Sequence, residues 1–123
     1  MKAFNKDIGN YGEDLSFEFL KRNGYSILSR NFRNRFGEVD IICKKDEVII
    51  FVEIKSRYSS NYGYPIEAIT YSKQKQIIKL CKFYIYINNL NNYNFRFDII
   101  EVFLNKDNNL YSLNHIPDAF RES

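Results

Sequence analysis

Two apolar runs joined by a charged turn stand at the centre of this sequence: residues 38–44 read EVDIICK and residues 48–55 read VIIFVEIK. Both runs are rich in β-branched side chains, which favour strands, and the charged residues 45–47 between them are typical of a hairpin turn. One carboxylate interrupts each run, Asp40 in the first and Glu53 in the second. Because acidic residues seldom occur in apolar strands, this pair needs an explanation.

Upstream of these runs, apolar side chains recur at helical spacing and predict a helix over residues 5–23, with Gly24 as its stop. Gly9 and Gly12 each cost a helix interior about 1 kcal/mol relative to alanine. They therefore indicate either close packing of this helix against a neighbour or a later start, near Tyr11.

The remaining elements follow from changes in pattern. They are a strand from Tyr25, a basic aromatic turn over 31–37, a loop over 56–65, a helix capped by Thr70 or Ser72 and ending before Asn88, a strand over 95–104 and a short strand over 110–113. The second helix is amphipathic, with an apolar stripe predicted to face inward and lysines opposite it: Ile77, Cys81, Tyr84 and Ile85 against Lys75, Lys79 and Lys82. The order α-β-β-β-α-β-β predicts a single α/β domain over residues 1–123.

Composition narrows the class of protein. A chain of 123 residues that is 45% hydrophobic and 27% charged suits one packed domain and excludes a disordered chain. No stretch approaches the roughly 20 apolar residues that span a bilayer, and the first residues lack a signal-peptide core, so we expect a cytoplasmic protein without a membrane partner. Cys43 and Cys81 lack metal-ligand spacing and are expected to be buried hydrophobes, and His115 is the only histidine.

Basic residues concentrate in the middle of the chain. Residues 21–82 hold 13 basic and 6 acidic side chains, whereas the rest of the chain holds 5 and 9. This asymmetry favours contact with a polyanion, although a solvated charged face accounts for it nearly as well.

Asp40, Glu53 and Lys55 form the candidate chemical centre. Side chains alternate along a strand, so Glu53 and Lys55 share a face. Carboxylates that converge on Mg²⁺ or Mn²⁺ keep their charge, whereas an unpaired buried charge costs several kcal/mol. For Asp40 and Glu53 to lie on one face, the hairpin between them needs an even-numbered loop or a bulge. We predict a two-residue loop at 45–46, which places Asp40 opposite Phe51 and diagonal to Glu53. The alternative is a satisfied ion-pair cluster on an exposed face.

An aspartate followed, after a strand gap, by Glu-x-Lys is the signature of the PD-(D/E)XK nuclease superfamily, here Val39-Asp40 and Glu53-Ile54-Lys55, with valine where the motif has proline. The whole sequence also resembles the YraN family of bacterial proteins through an ordered set of motifs: Gly9-x-x-Gly12-Glu13, Asn31-Phe32-Arg33, residues 36–42, residues 51–55, Lys73-Gln74, Phe97-Asp98 and residues 115–120. The resemblance implies a restriction-endonuclease-like α-β-β-β-α-β core, a mixed central sheet flanked by helices, similar in form to Holliday-junction resolvases.

The resemblance also implies roles for individual residues. Asp40 and Glu53 would be metal ligands, the Ile54 carbonyl a further ligand, and Lys55 would orient or activate water, so that attack proceeds without histidine. Glu13 is a third candidate carboxylate from the first helix, with a solvated position as its alternative. Gln74 is a candidate site residue at the start of the second helix, although a polar residue in a first turn often faces water.

Substrate contacts are predicted for Arg33, Arg57 and Lys75, because such cations neutralise phosphates and the aromatic residues among them can stack bases. Asp98 is expected to pair with a basic neighbour instead of binding metal. The leading hypothesis is a DNA-binding phosphodiesterase, an endonuclease that uses Mg²⁺ or Mn²⁺. Branched or single-stranded DNA is its candidate substrate. A homodimer would be needed to place two sites together. An inactive nucleic-acid-binding module and a protein-interaction subunit are the alternatives.

Overall fold

The computed structural model describes residues 4–58, 69–105, 107–108 and 110–122, without the side chains of residues 4–9. The described residues form the elements α1 (Phe4–Arg22), β1 (Ser26–Asn34), β2 (Gly37–Lys45), β3 (Val48–Tyr58), α2 (Tyr71–Ile87), β4 (Asn94–Leu104) and β5 (Tyr111–Phe120). This order confirms the predicted mixed α/β fold and is compatible with a restriction-endonuclease-like core. No helix within the described ranges combines the length and apolarity needed to cross a membrane.

The strands form one sheet in the order β1-β2-β3-β4-β5. Neighbouring strands are antiparallel except β3 and β4, which are parallel because the chain returns through α2 between them. One face of the sheet packs on α2, through a cluster that includes Phe51 and Ile77, and the other packs on α1, through Leu20 and Val52. We call these the α2 face and the α1 face. Burial on both faces explains why β3 begins as an unbroken apolar run.

α2 begins and faces the sheet as its sequence predicts. Thr70 is the N-cap, and its hydroxyl accepts a hydrogen bond from the Lys73 N–H at 3.1 Å, so the first of the two candidate caps is correct. The predicted stripe of Ile77, Cys81, Tyr84 and Ile85 is buried, and Lys75, Lys79 and Lys82 are exposed. Cys43 and Cys81 are both buried and free, as expected.

α1 approaches the sheet most closely at Gly12. A Cβ atom added there would lie 1.8 Å from the Ser56 Oγ on β3, so the helix can sit at this depth only with glycine. Of the two explanations for the helical glycines, close packing is therefore correct at Gly12. The helix already begins at Phe4, which excludes a start near Tyr11.

Three boundaries differ from those predicted. β1 continues through Asn34, so most of the expected turn over 31–37 is paired strand. β3 continues through Tyr58, and the rest of the expected loop, 59–65, lies outside the described residues. β5 covers residues 111–120, where a short strand and an irregular tail were expected. These segments are polar and read as loops, but backbone hydrogen bonds to a neighbouring strand hold them extended.

Asp98 is fully buried on β4, where it pairs with basic neighbours as predicted. Its carboxylate accepts hydrogen bonds from Arg96 at 2.8 and 3.1 Å and from the Asp118 N–H at 2.9 Å, and His115 Nε2 lies 2.7 Å away. Burial alone would raise the pKa of Asp98, but these partners outweigh it and hold the pKa below its usual value. Asp98 thus connects β4 to β5.

The contact at Gly12 makes a first prediction. Gly12→Ala should lower the free energy of unfolding by about 1–3 kcal/mol, because overpacking against Ser56 outweighs the better helix propensity of alanine. Urea unfolding followed by circular dichroism measures the change. Asn10→Ala, at an exposed position of the same helix, is the control and should be neutral or slightly stabilising. Equal stability of Gly12→Ala and the unmodified protein would contradict the close approach.

Candidate active site

The β2–β3 turn sets which residues of the two strands face each other. Lys45 pairs with Val48 and Ile41 pairs with Val52, which leaves a two-residue turn at 46–47. The even-numbered loop was predicted, but its position at residues 45–46 was wrong, and so was the pairing of Asp40 with Phe51. The pairing observed in this register ends at Ile41 and Val52, so Asp40 and Glu53 are the next residues of the two strands. The first turn residue is Asp46, with a φ of 56°, a conformation that aspartate tolerates better than lysine.

β1 and β2 both change faces close to Asp40. Ile41 packs in the cluster on the α1 face and Val39 in the cluster on the α2 face, although simple alternation would place both on one side. β1, which pairs with β2, also changes the faces of its side chains at this level of the sheet. Arg30 contacts α1, Phe32 packs against α2, and Asn31 between them has a φ of 54°. The sheet is therefore bent where the candidate site lies.

At this bend, the Asp40 side chain contacts the backbone of β3. Its Oδ2 accepts a hydrogen bond from the Ile54 N–H at 2.8 Å. The backbone pairing of β2 with β3 ends before these residues, at Ile41 and Val52. The carboxylate therefore takes the place of a strand partner for Ile54 and is fixed beside Glu53.

Glu53 lies on the α2 face, with its side chain only 14% exposed. Its Oε2 is 3.6 Å from the Lys73 Nζ in the first turn of α2. Its Oε1 is buried and has no hydrogen-bond partner among the described residues. A buried carboxylate oxygen without a donor is costly, and such an atom in a native site points to a ligand.

Burial and like charge act together on these two acids. Burial is the largest cause for both, and it raises the pKa of Asp40 to about 6 and that of Glu53 to about 7. The charge of Asp40 raises the pKa of Glu53 further, whereas Lys73 lowers the pKa of both. The pair is thus short of positive charge at neutral pH.

Three other predicted site residues lie nearby. Lys55 follows Glu53 on the same face of β3, its charge lowers the pKa of Glu53, and it forms no ion pair with a described residue. Gln74 is half-buried, and its side-chain amide donates to the Ile69 carbonyl at 2.9 Å, just before α2. The Ile54 backbone contributes its N–H to Asp40.

Glu13 is near the pair but already bound. Its Oε1 accepts hydrogen bonds from Arg30 at 2.7 Å and from Asn31 at 3.0 Å, and its charge contributes to the raised pKa of Asp40. Within the described ranges, no group of three or more His, Cys, Asp or Glu side chains could hold a metal ion. Among the described side chains, Asp40 and Glu53 are the two carboxylates that a cation here could take, and the Ile54 carbonyl as a further ligand stays a prediction.

The predicted phosphate contacts are dispersed around this centre. Arg57 lies on β3, in the alternating row that contains Glu53 and Lys55, and is half-buried. Arg33 is exposed and pairs with Glu38 across β1 and β2 at 3.1 Å. Lys75 is exposed on α2.

Lys73 is the residue that the sequence analysis missed. It was quoted as part of a motif, and only Gln74 beside it was assigned to the site, yet Lys73 contacts Glu53. The signal was present, because Lys73 precedes the buried Ile77 by four residues and so lies on the inward side of the helix.

Comparison with known proteins places the chain in a family. Residues 12–102 match the family described as Uncharacterised protein family UPF0102, and the match includes β2, β3 and α2. Proteins of that family from Clostridium beijerinckii and Clostridium perfringens are each 54% identical over 98% of this chain and cover 98% and 99% of their own lengths. One from Clostridium acetobutylicum is 51% identical over 98% of this chain. The chain belongs to UPF0102, the YraN family.

Proposed function

We propose that this protein is a nuclease that hydrolyses phosphodiester bonds in DNA with Mg²⁺ or Mn²⁺. The observation that carries the proposal is a pair of neighbouring, partly buried carboxylates, Asp40 and Glu53, which have raised pKa values and one oxygen without a donor among the described residues. A divalent cation is the ligand that relieves this arrangement, because it supplies the missing positive charge and accepts carboxylate oxygens.

The residues present fit Mg²⁺ in particular. This ion keeps several waters and takes only one or two protein carboxylates, with substrate phosphate oxygens completing the octahedron. Asp40 and Glu53 meet that requirement without Glu13, which Arg30 and Asn31 hold. Mn²⁺ also prefers oxygen ligands and suits the same pair.

The chain's own residues would then act as follows. Asp40 is oriented in advance by the Ile54 N–H, so little conformational freedom is lost when the site is filled. A bound cation supplies Lewis-acid polarisation of the scissile phosphate and a more acidic water. Lys55, on the face of Glu53, would orient the attacking water or stabilise the charge that develops on the phosphate. Lys73 balances Glu53 and then meets the incoming phosphate.

An inactive nucleic-acid-binding module on the same fold is the alternative function. Arg57 and the lysines of α2 would suit it, since phosphate contacts alone supply sequence-independent binding. Two buried carboxylates would oppose it, because they repel phosphate unless a cation lies between. The site geometry therefore favours the enzyme.

Substitutions at the centre separate these functions. Asp40→Asn and Glu53→Gln should abolish metal-dependent cleavage, and Lys55→Met should lower its rate by about 100-fold or more, the usual contribution of a group that moves or holds a proton. Linear duplex, single-stranded, flap and four-way-junction DNA, each with Mg²⁺, Mn²⁺ or chelator, are the substrates for gel assays.

Matched controls are Glu47→Gln in the β2–β3 turn and Lys45→Met at the end of β2, both at exposed positions outside the site. These variants should cleave like the unmodified protein. Cleavage that is equal in all five variants would come from a contaminating nuclease and would leave the proposal without support. Salt-sensitive binding with no metal-dependent cleavage would establish the inactive module instead.

The raised pKa values predict how metal binding depends on pH. Both folded-state values lie above the ordinary ones, so without metal the pair stabilises the fold fully below about pH 4, and this contribution is lost as pH rises through about 6 to 7. The ionised pair binds cations, so Mn²⁺ should restore roughly 1–3 kcal/mol at pH 8 and little at pH 5. Urea unfolding with Mn²⁺ or chelator measures this.

Glu53→Gln is the control for this measurement. It removes one of the two charges, so its stability should fall less between pH 5 and pH 8 and should not respond to Mn²⁺. Equal stabilisation by Mn²⁺ at both pH values, or an unchanged response in Glu53→Gln, would show that the cation binds elsewhere.

A further inference from the structure

A groove of about 200 Å³ lies between the outer side of α2 and residues 121–122 at the end of the described chain. Its charged lining consists of four cations and one carboxylate: Lys75, Lys79, Lys82 and Arg121, with Glu122. The net charge of the lining is thus +3, as large as that of the whole protein. Such a concentration of one sign in a concave surface attracts polyanions.

The three lysines form a row along the helix. They are spaced four and three residues apart, so they lie on one side of α2 and span about 10 Å at 1.5 Å per residue. Such a row of cations can follow the backbone of one nucleic-acid strand. α2 contains no acidic residue, and of the three lysines only Lys82 has a carboxylate partner among the described residues, Glu122 at 2.6 Å. Arg121, the fourth cation of the lining, pairs with Asp118.

An aromatic side chain and an apolar floor complete the groove. Tyr71, the first residue of α2, is 63% exposed, and the Lys75 ammonium lies 5.4 Å from its ring centroid. Ile78 lies between the lysines along the helix and also lines the groove. Exposed aromatic rings beside cations are typical of surfaces that hold single strands, where rings stack bases and cations neutralise phosphates.

The groove and the candidate active site both adjoin the first turn of α2. Gln74 lines the groove, and the preceding residue, Lys73, contacts Glu53. A strand whose scissile phosphate lies at Asp40 and Glu53 would pass around this turn to reach Lys75, because consecutive helical residues are about 100° apart.

We infer that this groove holds a single-stranded segment of the nucleic-acid substrate, with its phosphates on Lys75, Lys79 and Lys82 and a base against Tyr71. The inference rests on the proposed nuclease function and deepens it, because it assigns the path of the substrate strand. A base reaches the Tyr71 ring only when it is unpaired, which selects single-stranded over duplex DNA at this position.

Binding of a labelled oligothymidylate, measured by fluorescence anisotropy in chelator, tests the lysine row without cleavage. Lys75→Ala/Lys79→Ala should weaken binding about tenfold at 0.1 M salt and lower the salt slope by about 1.4, the value for two single-strand phosphate contacts. Lys21→Ala/Lys45→Ala removes the same charge from exposed positions elsewhere and should change binding little. Glu122→Gln should tighten binding, since it removes the one carboxylate of the groove. Thermal unfolding checks that each variant is folded.

Tyr71 and the type of polyanion are tested separately. Tyr71→Ala should weaken binding of the oligothymidylate and leave binding of an abasic strand of equal length unchanged. Inorganic polyphosphate serves as a second probe without bases. If it binds as tightly as the oligonucleotide and Tyr71→Ala has no effect, the groove is a general anion surface and the inference is wrong.

The outcomes also separate the groove from the catalytic proposal. If the lysine pair and its control have equal effects on binding while the unmodified protein cleaves DNA with metal, the groove inference fails and the nuclease function stands. If the lysine pair selectively loses binding but no metal-dependent cleavage is found on any substrate, the groove stands and the catalytic proposal fails. Absence of oligonucleotide binding by the unmodified protein overturns the groove inference.

Discussion

Asp40 and Glu53 lie next to the last pair of β2 and β3, Ile41 and Val52, in a register that the two-residue turn at 46–47 sets. The loop at 45–46 predicted from the sequence would have placed Asp40 two residues away, on a diagonal of roughly 7–8 Å. Both faces of the hairpin are buried, Ile42 on the α2 face and Ile41 on the α1 face, so packing resists a change of register. The positive φ of Asp46 fits the same register. The position of the two acids thus depends on a turn at the far end of their strands.

Asp98 and Glu53 show how the partners around an acid distinguish a structural role from a candidate functional role. Asp98 is fully buried, yet its partners on β4 and β5 hold its pKa below the ordinary value. Glu53 is slightly more exposed, but one oxygen lacks a donor, and its pKa is raised to about 7. Burial alone does not distinguish them; the supply of donors and positive charge does. The same comparison favours ligand binding at Glu53 and strand connection at Asp98.

The sequence predicted the parts of this fold that depend on local pattern. The apolar runs of β2 and β3, the Thr70 cap and the inward stripe of α2 follow from β propensity, capping and helical period. The acids at 40 and 53 were recognisable because each interrupts an apolar run.

Other features depend on contacts that a pattern does not contain. β5 was predicted too short because its polar residues are held by β4, and the face change between Val39 and Ile41 breaks the alternation on which strand patterns rely. Lys73 was overlooked as a site residue because lysines on an amphipathic helix normally face water. Because Lys73 lies four residues before Ile77, it is on the side of the helix that faces the sheet, where it contacts Glu53.

α2 joins the candidate site to the surface around it. Its first turn directs Lys73 toward Glu53, while its outer side carries the lysine row, and it has no acidic residue to offset either. Among the described residues, Lys73 is the one cation within 4.0 Å of either carboxylate of the pair, and at 3.6 Å it leaves Glu53 Oε1 without a donor. Such a contact compensates the pair only in part, because two charges in a low-dielectric site need good geometry as well as proximity. The missing positive charge lowers the stability of the fold at neutral pH. The cation proposed for catalysis would, when bound, offset this loss.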